Sequence, residues 1–140
     1  MLLSSCTFLN PEYPPGYVET RKANLESAVG EFDAQSIGQV ICDVSSGEVS
    51  PNNGFRRKIV IGGRESWQPT IDRLDLLKYE TSSGDPWRTG TRSDGISVAV
   101  RVIDRAGDEP EIESELAESG CEVPQEGAVS INFLEGDPFK

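Results

Sequence analysis

The chain contains no histidine, which removes the side chain most used for acid-base catalysis and for zinc or iron ligation near neutral pH. Ser-His-Asp, Cys-His and histidine-metal sites are therefore excluded. Paired carboxylates can hydrolyse glycosides without imidazole, and Asp72 and Asp75 stand three apart on a helical pattern. Arg73 and Lys78 lie beside them, so a solvated charged face is expected there. No catalytic residue, metal or cofactor is assigned. The densest charge is Asp104, Asp108, Glu109, Glu111, Glu113, Glu115 and Glu118, opposed locally only by Arg105. This run lacks the alternating ligands and central glycine of a calcium loop. It reads as a solvated helix with acid near its N-terminus, leaving Glu109, Glu111, Glu113 and Glu115 as candidate contacts for a basic partner. Trp87-Arg88-Thr89-Gly90-Thr91-Arg92 places an aromatic beside two guanidiniums, a composition able to stack bases or clamp a carboxylate. Cross-strand packing is the expectation in so acidic a chain, with Trp87, Arg88 and Arg92 kept as a candidate recognition patch. Gly62-Gly63-Arg64-Glu65-Ser66 could cradle an anion between a strand and a helix. It has no Walker lysine, and a strand stop followed by a helix cap accounts for it.

These residues must be positioned by one small body. Apolar residues make up 36% of the chain and charged residues 26%, with no apolar run long enough to span a bilayer. A formal charge of −11 and a pI near 4.4 repel phosphate backbones and anionic headgroups. Nucleic acid is not an expected partner; a basic protein or an envelope component is. Arginine outnumbers lysine nine to four, a bias that a GC-rich genome produces without functional cause.

Val18, Leu25, Ala28, Val29 and Phe32 recur at helical spacing, which predicts a helix from about Tyr17 to Asp33, with Arg21 among the residues off the apolar stripe. Val40, Cys42 and Val44 alternate, turn chemistry follows to Asn53-Gly54, and Phe55 to Ile61 resumes a β-branched run; this is a long-looped hairpin. Ser66 can cap a second helix, with Pro69 in its tolerated first turn and Trp67, Ile71, Leu74 and Leu77 as its buried stripe. After Gly84-Asp85-Pro86, a second hairpin runs from Trp87 to Arg92, through Ser93-Asp94-Gly95, and along the strict alternation of Ile96, Val98, Val100 and Val102. A third helix begins at Pro110, carries Ile112 and Leu116 and stops at Gly120; Val129, Ile131 and Phe133 mark a last strand. Helix, strand, turn, strand thus occurs twice at a period of about 45 residues, suggesting a duplication. The expected fold is α+β: a two-layer sandwich of about five antiparallel strands with helices on one face, built from two αββ units and a C-terminal αβ unit. Residues 17–140 form its single domain.

The segment 1–16 stands apart. Leu3-Ser4-Ser5-Cys6 has the form of a lipobox, and Pro11, Pro14 and Pro15 favour an extended tether that could hold a domain roughly 30 Å from its anchor. The other reading of this segment is an arm whose Phe8, Leu9, Tyr13 and Tyr17 pack onto the body. With its compact acidic domain, the chain resembles the small lipoproteins of Gram-positive, especially actinobacterial, envelopes. That resemblance implies diacylation at Cys6, a membrane connection through the lipid alone, and an extracytoplasmic location. A short leader of five residues before Cys6 gives the alternative of a cytoplasmic chain if Met1 is the true start. Assigning Cys6 to lipid leaves Cys42 and Cys121 as an even pair, closing a loop of about 80 residues worth roughly 4 kcal/mol in the chain-entropy model. In a cytosolic chain the same two residues would be buried thiols. The implied role is a non-catalytic envelope domain that binds a protein or surface component. The alternative is an acidic inhibitor or immunity-type protein that neutralises a basic partner.

Overall fold

The computed structural model describes residues 16–46, 54–82 and 87–135. Cys6, the lipobox and the tether up to Pro15 lie outside the described residues, as do Asn53 and Gly84-Asp85-Pro86. Three α-helices, α1 (Tyr17–Phe32), α2 (Trp67–Leu76) and α3 (Pro110–Glu118), are interleaved with six strands: β1 (Val40–Ser46), β2 (Arg56–Gly62), β3 (Glu80–Thr81), β4 (Trp87–Thr91), β5 (Ile96–Ile103) and β6 (Ala128–Glu135). The strands form one antiparallel sheet in the order β1-β2-β6-β5-β4-β3. The chain is α+β, as expected, with one strand more than the five anticipated. The extra strand is β3, whose two residues pair with Thr91 and Gly90. Gly90 permits this closeness, because a Cβ there would stand 2.7 Å from Thr81 Cγ2 and 2.9 Å from the Glu80 carbonyl.

Strand alternation gives the sheet two unlike faces. On one, Ile59 and Ile61 of β2, Val129, Ile131 and Phe133 of β6, and Ile96, Val98 and Val100 of β5 meet Leu25, Ala28 and Phe32 of α1 and Ile71 and Leu74 of α2. Phe133 is the centre of this core, edge-on to Phe32 at 5.4 Å and to Tyr79 at 6.4 Å between ring centroids. Arg73 of α2 donates to the carbonyl of Phe32 and to Ser36 Oγ at 3.0 Å, so a cation of one helix satisfies the open C-terminal end of the other.

Arg21, expected outside the apolar stripe, is instead buried at 4% exposure. Its Nε donates to Glu135 Oε2 at 2.8 Å and its Nη2 to the Glu135 carbonyl at 3.1 Å, while Tyr17 Oη accepts from Nη1 at 3.1 Å. Periodicity misplaced it because a salt bridge can put a charge on an apolar face when a partner meets it there. Glu135 is held in turn by its own N–H, which donates to the Phe55 carbonyl at 3.1 Å. The start of α1 and the end of β6 are thereby fastened together.

The helices do not all lie on one face, which corrects the sandwich expected from sequence. α1 and α2 already cover the first face, and β2, β5 and β6 also carry Val60, Ile103 and Ala128 in their other phase. Leu116 of α3 joins that second group, together with Cys121 and Val123, and with Ile112 at its margin. α3 therefore forms a partial third layer on the opposite side of the sheet. Cys42 and Cys121 are disulfide-bonded, with Cα atoms 5.6 Å apart. The bond does not join neighbouring strands. Instead β2 lies between β1 and β6, and the segment after α3 passes over Val60 to reach Cys42. Ser66 also differs from expectation: its hydroxyl donates to the Gly62 carbonyl at 2.8 Å, and α2 has no side-chain cap.

Candidate functional site

Register places the second face in rows that run across the sheet. Under α3 lie Ile103, Ala128 and Gly62, and next to them Trp87, Arg101, Ser130, Val60 and Cys42. Beyond α3 no other described element covers the face. One open row reads Thr89, Ala99, Asn132, Lys58 and Val44, and the next Glu80, Thr91, Ser97, Leu134 and Arg56. These rows line a groove of about 840 Å³, walled at one end by Glu115 of α3 and by Ser119 just past its end. That size is within the range of ligand clefts.

The floor is hydroxyl-rich and mixed in charge. Arg56 and Lys58 rise from β2, opposed by Glu80 on β3 and Glu115 on α3. Lys58 Nζ and Glu115 Oε1 are 3.3 Å apart. Such pairing makes the groove far closer to neutral than a chain of formal charge −11 would suggest. At its margin Trp87 is 56% exposed, and its register partner Arg101 donates to Glu109 at 2.5 Å. Among the described residues no group of three or more His, Cys, Asp or Glu side chains is arranged to hold a metal ion.

The four glutamates expected to form a docking face are not presented together. Glu109 pairs with Arg101, and Glu113 turns back to accept from the N–H groups of Gly107 at 2.8 Å and Glu109 at 2.9 Å. That is N-terminal capping, which spends the carboxylate inside its own helix. Glu115 walls the groove, and Glu111 alone of the four is exposed without a bond to another described residue.

Trp87, Arg88 and Arg92 are not one patch either. Adjacent strand residues point to opposite faces, so Trp87 lies on the open face while Arg88 stands 5.8 Å over the Trp67 ring on the helix side. Arg92, just past β4, lies 4.7 Å over Tyr79 and pairs with Asp94 at 2.7 Å and Glu31 at 3.2 Å. The Arg92 hydrogen bond and the Ile96 N–H hold the Asp94 carboxyl below the usual aspartate range. Arg57 is similarly consumed: Asp43 and Glu26 grip it from β1 and α1, and its pKa rises further above the arginine norm.

Lys58, Asn132, Ser97, Ala99 and Arg56 were not singled out by sequence. Their signal was the small polar phase of strands whose apolar phase is unmistakable, as in Ser97-Val98-Ala99-Val100. No helix of the described residues is long and apolar enough to cross a membrane. Comparison with protein families, curated proteins and solved structures gave no match. Function must be read from the chain's own geometry.

Proposed function

We propose that this chain is an exported, lipid-tethered, non-catalytic domain that binds a protein or other envelope component through the open face of its sheet. The groove between α3 and that face carries the reading. Soluble sheets expose polar faces routinely, but here the face is walled, about 840 Å³ in volume, and lined by Arg56, Lys58, Asn132, Ser97, Thr89 and Thr91. Such a surface offers charged and uncharged donors and acceptors across neighbouring rows of the sheet. Support for export comes from the disulfide, which persists in oxidising compartments, and from the lipobox form of Leu3 to Cys6. The missing histidine favours binding over catalysis.

Two measurements test this. Intact mass of protein isolated from its source should show diacylated Cys6 as the mature N-terminus; an unmodified Met1 removes the anchor from the reading. Ala99→Arg, aimed into the groove, should reduce binding to the source's isolated envelope at least tenfold while leaving thermal stability close to wild type. Unchanged envelope binding by that folded variant would exclude the groove.

A second reading, as an acidic inhibitor of a basic protein, is favoured by the exposure of Glu111, Glu118, Glu122 and Glu126 around α3. Its association would slow steeply with added salt. Salt-independent association would eliminate it.

A further inference from the structure

The Cys42–Cys121 bond lies outside the helix-side core. It ties edge strand β1 to the segment following α3, across β2, on the face opposite α1 and α2. α3 has few other fastenings. Leu116 is its one fully buried side chain, and Ile112 is half-buried. Two ion pairs, Lys58–Glu115 and, at its N-cap, Arg101–Glu109, join it to the sheet; the first is largely open to solvent and the second only part-buried, and such pairs hold weakly. A helix of nine residues falls short of the roughly 12–15 at which helices become even marginal alone. Glu115 of this helix and Ser119 just past its end are the wall of the groove.

We propose that the disulfide is a latch that assembles the groove. Oxidised, it holds α3 against the sheet; reduced by a dithiol, it releases residues 109–123, removes the wall and uncovers Val60 and Ile103, while Glu126 and Gly127 stay fastened by the N–H groups of Arg64 and Gly63 at 3.0 and 2.8 Å. The functional consequence rests on the groove being the recognition surface, although the latch itself does not. Cys42 is half-buried on an edge strand whereas Cys121 is 2% exposed, so attack falls on the Cys42 sulfur. A thiolate of the reductant bonds to it, the Cys42–Cys121 bond breaks, and Cys121 leaves as a thiolate that takes a proton. The reductant's second thiol then displaces Cys42 as a thiol and closes the reductant's own disulfide. Two electrons and two protons have passed from the dithiol to the protein. Binding would then be confined to oxidising surroundings, where a newly exported chain acquires its groove.

Hydrogen exchange on the full chain tests the latch without any ligand. Comparison of oxidised protein, protein in dithiothreitol and the Cys42→Ser/Cys121→Ser variant should show at least tenfold faster exchange across 109–123 in both unlatched forms. Protection in α1, α2, β2 and β5 should fall with the global stability that the bond supplies but stay well above that left in 109–123. In oxidised Leu116→Ala, α3 should exchange faster than in wild type but slower than in the reduced protein, because the latch remains. Unchanged exchange over 109–123 on reduction would overturn the proposal, and so would equal residual protection in that segment and in the core, which would make the bond only a staple of the whole fold. Because no partner is used, failure of Ala99→Arg to affect envelope binding would reject the recognition surface while leaving this result intact.

Discussion

Arg21 and Glu135 stand 114 residues apart and are 4% and 6% exposed. A buried pair of this kind adds little over a well-packed apolar pair, yet stranding one charge is costly. Arg21→Ala should therefore destabilise the domain by about 3–5 kcal/mol in urea denaturation, whereas Arg21→Met with Glu135→Leu should recover most of that loss. Tyr79 presents a different case, since its hydroxyl is buried with no hydrogen-bond partner among the described residues. Burial pushes its pKa up to about 12, against the opposing pull of the Arg92 guanidinium over the ring. The unfolded chain ionises this tyrosine near pH 10, so the folded state keeps its full advantage below that pH. The advantage is lost as pH rises through about 12. Tyr79→Phe should flatten the fall of stability over that interval and delete the last tyrosinate step at 295 nm. At pH 7 it should be at least as stable as wild type, because no hydrogen bond is sacrificed.

At the scale of elements, β3 exists because Gly90 allows it. Valine at 90 would press its Cβ against Thr81 and the Glu80 carbonyl, an overpacking cost of about 1–3 kcal/mol. Gly90→Val should also loosen the Ser82 N–H that donates to Thr89 at 2.8 Å, which faster exchange of that amide would show. No sequence pattern announces so short a strand: Glu80 and Thr81 have no alternation to display, and only their ladder defines them. The longer elements were legible because each carries its own period. The α1 pattern ended within a residue of Phe32, and the alternating valines of β5 ran to Ile103. Ile112 and Leu116 likewise revealed an apolar side on α3, but periodicity says nothing of which sheet face that side meets. The same locality hid the groove. Lys58, Asn132, Ala99 and Thr89 come from four strands and meet only through register, whereas the separation of Trp87 from Arg88 could have been read from strand alternation alone.

For the whole molecule, the question is how much stability the disulfide supplies beyond the helix-side core. Cys42 and Cys121 are 79 residues apart, and closing such a loop in the unfolded chain is worth about 4–5 kcal/mol in the chain-entropy model. Small domains hold only about 5–15 kcal/mol in total, so reduction should remove a large share without abolishing folding. Phe32, Leu74, Ile131 and Phe133 pack together with neither cysteine among them, and that core should keep a cooperative transition in the reduced chain. Charge works against it. Excess carboxylates repel one another at a formal charge of −11, a term that salt screens within a Debye length of about 8 Å near physiological ionic strength. Raising NaCl from about 20 to 200 mM should therefore lift the urea midpoint of the reduced form, whose margin is smaller. The oxidised form should shift in the same direction from a higher starting point. A reduced chain with no cooperative transition at either salt concentration would show that the core of Phe32 and Phe133 depends on the disulfide after all.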